Sequence, residues 1–229
     1  MAARDSDITP VVEDYLKVVW SAGEWAETRV TTKLLAERLG VGPSTVSENV
    51  RRMVGMGLLE HEPYGAISLT GEGEHLAVAM VRRHRLIETY LVERLGYAWD
   101  EVHDEAEVLE HAVSDLMLAR MDAALGHPRR DPHGDPIPTA DGELPASDAC
   151  TLADLAAGVV GVVVRISDAD PALLRWFAEI GLGLDARVEV LAVREFAGTV
   201  TVAWTRPGGT RTDAALGLPA ARSVWVAEA

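Results

Sequence analysis

The chain has 229 residues, 48% hydrophobic and 25% charged, with a formal net charge of −15. That length has room for two or three small domains, and that balance excludes a chain disordered throughout and a fibrous repeat. Its one cysteine, Cys150, excludes an intrachain disulfide framework and a thiolate-rich zinc site, which leaves nitrogen and oxygen as metal donors.

No apolar run approaches the ~20 residues that span a bilayer. The first residues, Met1-Ala2-Ala3-Arg4-Asp5-Ser6-Asp7, lack the cationic-then-apolar pattern of a signal peptide. A cytoplasmic protein with no membrane partner is the expectation.

Thr9-Pro10 reads as an N-cap with proline in the first helical position, and Val11, Tyr15, Val18 and Val19 follow at helical spacing, predicting a helix over about 10–22. Residues 31–39 form a second amphipathic stretch, Gly40-Val41-Gly42 interrupts it, and Pro43 opens a third helix through Met53. Residues 58–62 and 66–69 flank Pro63-Tyr64-Gly65 as a β-hairpin. Helix, glycine turn, helix and hairpin in that order make a winged helix-turn-helix, in which the second helix of the pair reaches base edges in the major groove.

Leu35, Ala36 and Leu39 are expected to pack on Val46, Val50 and Met53, turning Ser44, Thr45, Ser47, Glu48 and Arg51 outward. The hydroxyl side chains suit phosphates or bases, Glu48 suits a cytosine amine, and Lys33, Arg51 and Arg52 suit phosphates. Each residue singly would also fit an ordinary solvated helix face, and the assembled unit is what points to double-stranded DNA. The charge opposes this reading, because phosphate binders are ordinarily basic. The excess acid is concentrated in the middle of the chain: residues 76–150 carry −8, against −5 before them and −2 after. A DNA binder so charged is expected to be gated by a ligand rather than constitutive.

Thr70 can cap a long helix through about Leu95, and a second is predicted from about Trp99 to Leu125, closed by Gly126 and Pro128. On the second, His103, Glu107 and His111 are spaced i, i+4, i+8, with Glu110 beside His111, so one helical face would present all four. The first offers His84 and Glu88, again i, i+4. Burying such groups is costly without compensation, and a divalent cation compensates. Asp100, Glu101, Asp104 and Glu105 read as a solvated face, and His61, His75, His127 and His133 as surface or loop histidines. Residues 127–150, rich in Pro, Gly and Asp, read as a domain junction. Beyond them, β-rich runs at 159–164, 187–193 and 199–204 suggest a small barrel.

His84-Arg85-Leu86-Ile87-Glu88, the run from Val102 to His111, and Asp131-Pro132-His133-Gly134-Asp135-Pro136-Ile137-Pro138, behind the winged helix, resemble the diphtheria-toxin-repressor family of metal-dependent regulators, in its manganese-responsive branch from actinobacteria. The resemblance covers essentially the whole chain. It implies a mainly α fold with β structure in three parts: a winged helix-turn-helix (1–75), a helical dimerisation and metal-binding domain (76–145), and a C-terminal SH3-like, FeoA-like β-barrel (151–229).

The resemblance also implies two metal sites per subunit. The primary site would take Asp14, Glu107, Glu110 and His111, and the ancillary site His84, Glu88 and His103, with Asp170 as a further ancillary ligand. The positions matching Asp14 and Glu107 are methionine and cysteine in the iron-sensing branch. Two carboxylates there favour Mn²⁺ over the alternative, Fe²⁺. Lys17 stands where a manganese-sensing relative has a second carboxylate, so that relative's paired metals do not carry over, and Leu173 stands where the iron sensors have an amide.

The function implied is a repressor controlling manganese homeostasis, which binds palindromic operator DNA as a homodimer, one or two dimers per operator. A metal-dependent hydrolase is the distant alternative, but no His-Glu-x-x-His pattern or nucleophile motif is present. An organic effector in place of metal would want a mostly apolar pocket rather than a carboxylate-rich face.

Overall fold

The computed structural model describes residues 8–25, 28–62, 65–145, 148–206 and 209–228. They fall into two compact units, one comprising Met1–His84 with Glu110–Val113 and Pro138–Leu144, the other Arg85–Leu109, Ser114–Ile137 and Pro145–Ala229.

In the first unit, α1 (Pro10–Glu24) begins as expected at a proline, although the Thr9 side chain makes no cap bond and its carbonyl alone accepts from Val12 and Glu13. Thr31 caps α2 (Thr32–Leu39) by accepting from the Leu34 amide at 3.2 Å. Gly40, at φ +66°, supplies the left-handed residue that closes α2, a conformation costly for any side chain with a Cβ. α3 (Pro43–Met56) follows, then the antiparallel pair β1 (Leu59–His61) and β2 (Ile67–Leu69), with Leu59 opposite Leu69. Pro63 and Tyr64 of the expected turn lie outside the described residues. Val12, Leu16, Leu35, Val46, Val50, Met53, Leu58 and Ile67 form the buried core, and Ala36 and Leu39 pack against it as the pattern required.

Helix α4 (Gly71–Tyr90) starts where Thr70 Oγ1 accepts from the Gly73 amide at 3.1 Å. The expected extension to Leu95 is present as a π-helical turn, Leu91–Leu95, closed by Gly96 at φ +77°.

Two expectations need correction. The single helix predicted from Trp99 to Leu125 is two helices, α5 (Val102–Leu109) and α6 (Asp115–Leu125). Ser114 begins the second, its backbone extended and its hydroxyl accepting from the Met117 amide at 3.3 Å. Apolar spacing runs on through the break, and no proline or glycine marks it. The segment between, Glu110–Val113, belongs to the first unit, where Arg83 donates to the Val113 carbonyl.

The second correction concerns 127–150, expected to be a loose junction. Asp131, His133, Asp135 and Ile137 are all buried. Gly134, at φ +94°, makes this possible: a Cβ there would lie 2.0 Å from the Val164 carbonyl oxygen, so only glycine lets the loop approach the strand so closely.

In the second unit an antiparallel six-stranded sheet runs in the order β3-β8-β4-β5-β6-β7. Its strands are β3 (Cys150–Thr151), β4 (Val160–Ile166), β5 (Arg187–Arg194), β6 (Thr199–Thr205), β7 (Arg211–Gly217) and β8 (Val224–Glu228). Val163, Val188, Val190, Val200, Val202 and Trp204 fill its core with Leu174 and Phe177 of α7 (Pro171–Ile180), a helix the sequence reading did not resolve. A one-turn helix, α8 (Leu218–Ala221), joins β7 to β8. Among the described residues no helix is long and apolar enough to cross a membrane.

Candidate metal centre and nucleic-acid interface

The first cluster lies wholly within the first unit. Helix α1 buries Val12, Tyr15, Leu16 and Val19, which leaves Glu13, Asp14 and Lys17 at the edge of the buried stripe. Opposite them are Glu110 and His111, which follow α5. His111 Nε2 lies 2.9 Å from Asp14 Oδ1 and 3.7 Å from Glu110 Oε1, while its Nδ1 lies 2.8 Å from Glu13 Oε2. Glu110 is almost completely buried, and both its oxygens are engaged: Lys17 Nζ donates to Oε1 at 2.5 Å, and His84 Nδ1 lies 2.6 Å from Oε2.

Burial works to raise the Glu110 carboxyl, but the hydrogen bond and charge of His84, with Lys17 behind them, outweigh it and hold Glu110 below the usual carboxylate range. For Asp14 the balance goes the other way. Burial raises it, and the opposing pull of His111 and Lys17 does not cancel the effect.

Donor atoms of Asp14, Glu110 and His111 all lie within 4.8 Å of one another, a mixed oxygen and nitrogen set suited to a first-row divalent cation. Glu107, expected in the same site, sits in the second unit on α5, with Oε1 3.7 Å from His103 Nε2. Of the four side chains expected there, the structure brings three together, with Glu13 and Lys17 beside them.

Of the second expected cluster, Glu88 and His103 lie within the second unit, where they meet an acidic group the sequence did not single out. His103 Nδ1 stands 3.4 Å from both Glu88 Oε1 and Asp168 Oδ2. These two carboxylates, Asp168 first, push His103 up to about 10; burial works to raise Asp168, but the His103 hydrogen bond together with the charges of His133 and His103 outweighs it and brings Asp168 down to about 2. Asp170, the expected barrel ligand, is exposed and caps α7, accepting from the Ala172 and Leu173 amides. Asp168, two residues earlier, is the acidic group that reaches His103. His84 is one turn before Glu88 on α4, with Nδ1 turned to Glu110.

Glu88, Asp131 and His133, all buried, form a further set of donors within 4.8 Å of one another. His133 is a loop histidine, as expected, but not a surface one: it is 0% exposed. Its Nε2 lies 2.7 Å from the Trp99 carbonyl oxygen and so donates to it, which leaves Nδ1 as the ring atom that could coordinate. That Nδ1 is buried without a hydrogen-bond partner, 3.9 Å from Glu88 Oε2. A buried ring nitrogen without a hydrogen-bond partner beside two buried carboxylates is a donor set that fits a metal.

Burial, and after it the neighbouring carboxylates Asp135 and Glu88, push Asp131 well above its ordinary range. Its Oδ1 accepts from the amides of His133 and Asp135, at 2.8 and 2.9 Å, and so shapes the loop. Asp135 is clamped in turn by Arg165 at 2.7 Å and Arg85 at 3.4 Å. The motif Asp131-Pro132-His133 was visible in the sequence, but its prolines and glycine suggested a linker rather than a ligand loop.

Comparison with known proteins follows these parts along the chain. The model for the iron-dependent repressor N-terminal DNA-binding domain matches residues 7–67. That for the iron-dependent repressor metal-binding and dimerisation domain matches 70–139, and that for the FeoA domain matches 150–228. A solved manganese-dependent transcriptional repressor in complex with manganese superposes with a TM-score of 0.90 at 57% identity, covering 95% of this chain and 100% of that one. The chain belongs to the diphtheria-toxin-repressor family, in its manganese-responsive branch.

The manganese regulator SloR is also similar, with a TM-score of 0.78 at 31% identity over 97% of this chain and 100% of its own. The iron-dependent repressor IdeR of Mycobacterium tuberculosis strain H37Rv is 36% identical over 168 residues, 70% of this chain and 73% of its own length. The family is one of regulators rather than enzymes, which removes the hydrolase reading.

In a family of DNA-binding repressors the outward face of α3 takes on meaning. Ser44, Thr45, Ser47, Glu48, Arg51 and Arg52 are all exposed, with Val46, Val50 and Met53 buried behind them. Ser47 Oγ donates to the Pro43 carbonyl at 2.9 Å, which ties one hydroxyl to the start of its own helix. Lys33 is exposed on α2 and pairs loosely with Glu37 at 3.7 Å, a bond too weak to withhold it from a phosphate.

Proposed function

We propose that this protein is a transcriptional repressor that binds palindromic operator DNA as a homodimer when Mn²⁺ occupies its regulatory site, and so controls manganese homeostasis in the cytoplasm. One observation carries the reading: α1 of the winged helix and the turn after α5 bring Asp14, Glu110 and His111 together as oxygen and nitrogen donors without sulfur.

Asp14, Glu110 and His111 would hold the regulatory cation. Glu88 and His103 would hold a second, for which Asp131, His133 and Asp168 also stand ready. Bound at the first site, a divalent cation supplies the charge that lets its carboxylates stay close. The chain does the rest: Asp14 ties α1 to Glu110 and His111, which fixes how the winged helix is carried. In a symmetric dimer this sets the spacing of the two α3 helices to a palindrome's half-sites.

The three-part division (1–75, 76–145, 151–229) and a stoichiometry of two dimers per operator belong to the same proposal. Exposed Val108 (73%), Leu116 (66%) and Met117 (49%), on α5 and α6, are the apolar surface proposed to close the dimer.

A second reading, the same repressor sensing Fe²⁺, is favoured by the 36% identity to the iron-dependent repressor. The test is to select an operator from random DNA with the Mn²⁺-loaded protein, then titrate Mn²⁺, Fe²⁺ and Zn²⁺ separately. Mn²⁺ is expected to produce DNA binding at the free concentrations found in cells. Activation by Fe²⁺ alone at such concentrations would transfer the assignment to iron.

A further inference from the structure

We propose that Glu13 is the positioning residue of the Asp14/Glu110/His111 centre, holding the proton of His111 on Nδ1 and thereby committing Nε2 to the cation. This rests on the metal reading above. The two edges of the His111 ring face different surroundings. Nε2 is 2.9 Å from Asp14 Oδ1 and 3.7 Å from Glu110 Oε1, the other two donors of the centre. Nδ1 is 2.8 Å from Glu13 Oε2, and Glu13 stands outside the converging donor set.

A neutral imidazole has one N–H and one lone pair. With the proton on Nε2, the ring would aim its lone pair at the Glu13 carboxylate and its N–H into the space the cation needs. With the proton on Nδ1, Glu13 accepts it and Nε2 is free to coordinate. Residues 13 and 14 are about 100° apart around α1, so consecutive carboxylates reach opposite edges of one ring. Val12, on the other side of Glu13, is buried in the core and cannot share the task. His133 shows the same device in the second unit, with Nε2 anchored on the Trp99 carbonyl and Nδ1 left to the donor set. A ligand histidine held this way keeps both its tautomer and its ring orientation.

The experiment uses the full chain with ¹⁵N-labelled histidine and Zn²⁺ as a diamagnetic probe, following the His111 ring nitrogens during titration in wild type, Glu13→Ala, Glu13→Gln and Asp14→Ala. In the wild type Nδ1 keeps its proton and the Nε2 signal shifts on binding. Glu13→Ala is expected to weaken Zn²⁺ binding read at His111 by about 10- to 100-fold and to move the proton of the metal-free ring to Nε2, where Asp14 Oδ1 at 2.9 Å accepts it. Glu13→Gln, whose amide oxygen can accept the same bond, should restore the Nδ1–H form and most of the affinity, which a general loss of folding would not allow.

The proposal is overturned if Glu13→Ala binds within about threefold of wild type, or if Glu13→Gln is as weak as Glu13→Ala. Zn²⁺ appearing on Nδ1 would overturn it equally. Asp14→Ala separates the two levels: if it leaves Zn²⁺ binding at His111 intact, the centre itself is misassigned. If it abolishes binding while Glu13→Ala does not, the role of Glu13 alone fails.

Discussion

Glu110 concentrates the chemistry of the first cluster in one side chain. An isolated carboxylate so buried would cost several kcal/mol, and Lys17 and His84, one on each oxygen, offset that cost in the metal-free protein. Lys17 therefore acts in two directions, since the ammonium that stabilises Glu110 also repels an arriving cation. Lys17→Met is expected to lower the thermal midpoint of the metal-free protein and to tighten Mn²⁺ binding roughly tenfold, read by calorimetry. Weaker Mn²⁺ binding would show that Lys17 serves the metal instead. The His103–Asp168 pair makes a prediction in pH. Raising His103 from 6.5 to about 10 contributes stability that is complete below 6.5 and lost as pH rises through about 10. Lowering Asp168 from 3.8 to about 2 contributes stability present above 3.8 and lost as pH falls through about 2. The metal-free wild type should thus exceed Asp168→Asn in thermal midpoint most clearly near pH 5–6, with the difference shrinking toward pH 10. His103 is 42% exposed, so solvent screens the pair and the gap will be modest. A gap that widens with pH would contradict the assignment.

At the level of elements, what could be read from the sequence depended on whether local pattern or tertiary contact decided the outcome. The winged helix was legible because Gly40, Pro43 and the spacing of Leu35, Val46, Val50 and Met53 are local signals that the packed core obeys. The break between α5 and α6 was not, because helical periodicity runs through it and only partners distant in sequence, Lys17 and His84, show where Glu110 goes. The spacing of His103, Glu107 and His111 thus selected the right neighbourhood for a reason the structure does not share, since His111 lies beyond the end of α5. Asp131 and His133 were missed because Pro- and Gly-rich segments ordinarily form exposed links. Here Gly134 allows close approach to β4, and the Asp135 clamp holds the loop in place. Asp168 was passed over for Asp170 because, without coordinates, two acidic residues two positions apart cannot be told as helix cap and histidine partner. The exposed apolar side chains of α5 and α6 carry their own prediction. Leu116→Arg should shift the protein toward monomer in sedimentation and weaken operator binding, while leaving Zn²⁺ binding read at His111 within about threefold. An unchanged dimer would place the interface elsewhere.

For the whole molecule, a net charge of −15 and the exposed face of α3 proposed to read DNA have to be reconciled. Non-specific attraction to phosphate will be weak, so affinity depends on presenting two α3 helices at one fixed spacing. Metal binding is the means proposed for fixing it, and linkage makes the relation reciprocal: operator DNA must tighten Mn²⁺ binding by the factor by which Mn²⁺ tightens DNA binding. The most direct test measures both halves of that cycle in the wild type and in Asp14→Ala, by fluorescence anisotropy of labelled operator with and without Mn²⁺ and by Mn²⁺ titration with and without operator. The account predicts equal coupling factors of at least about tenfold in the wild type and near unity in Asp14→Ala, with the variant still folded and dimeric. Full Mn²⁺-dependent operator binding by Asp14→Ala would contradict it.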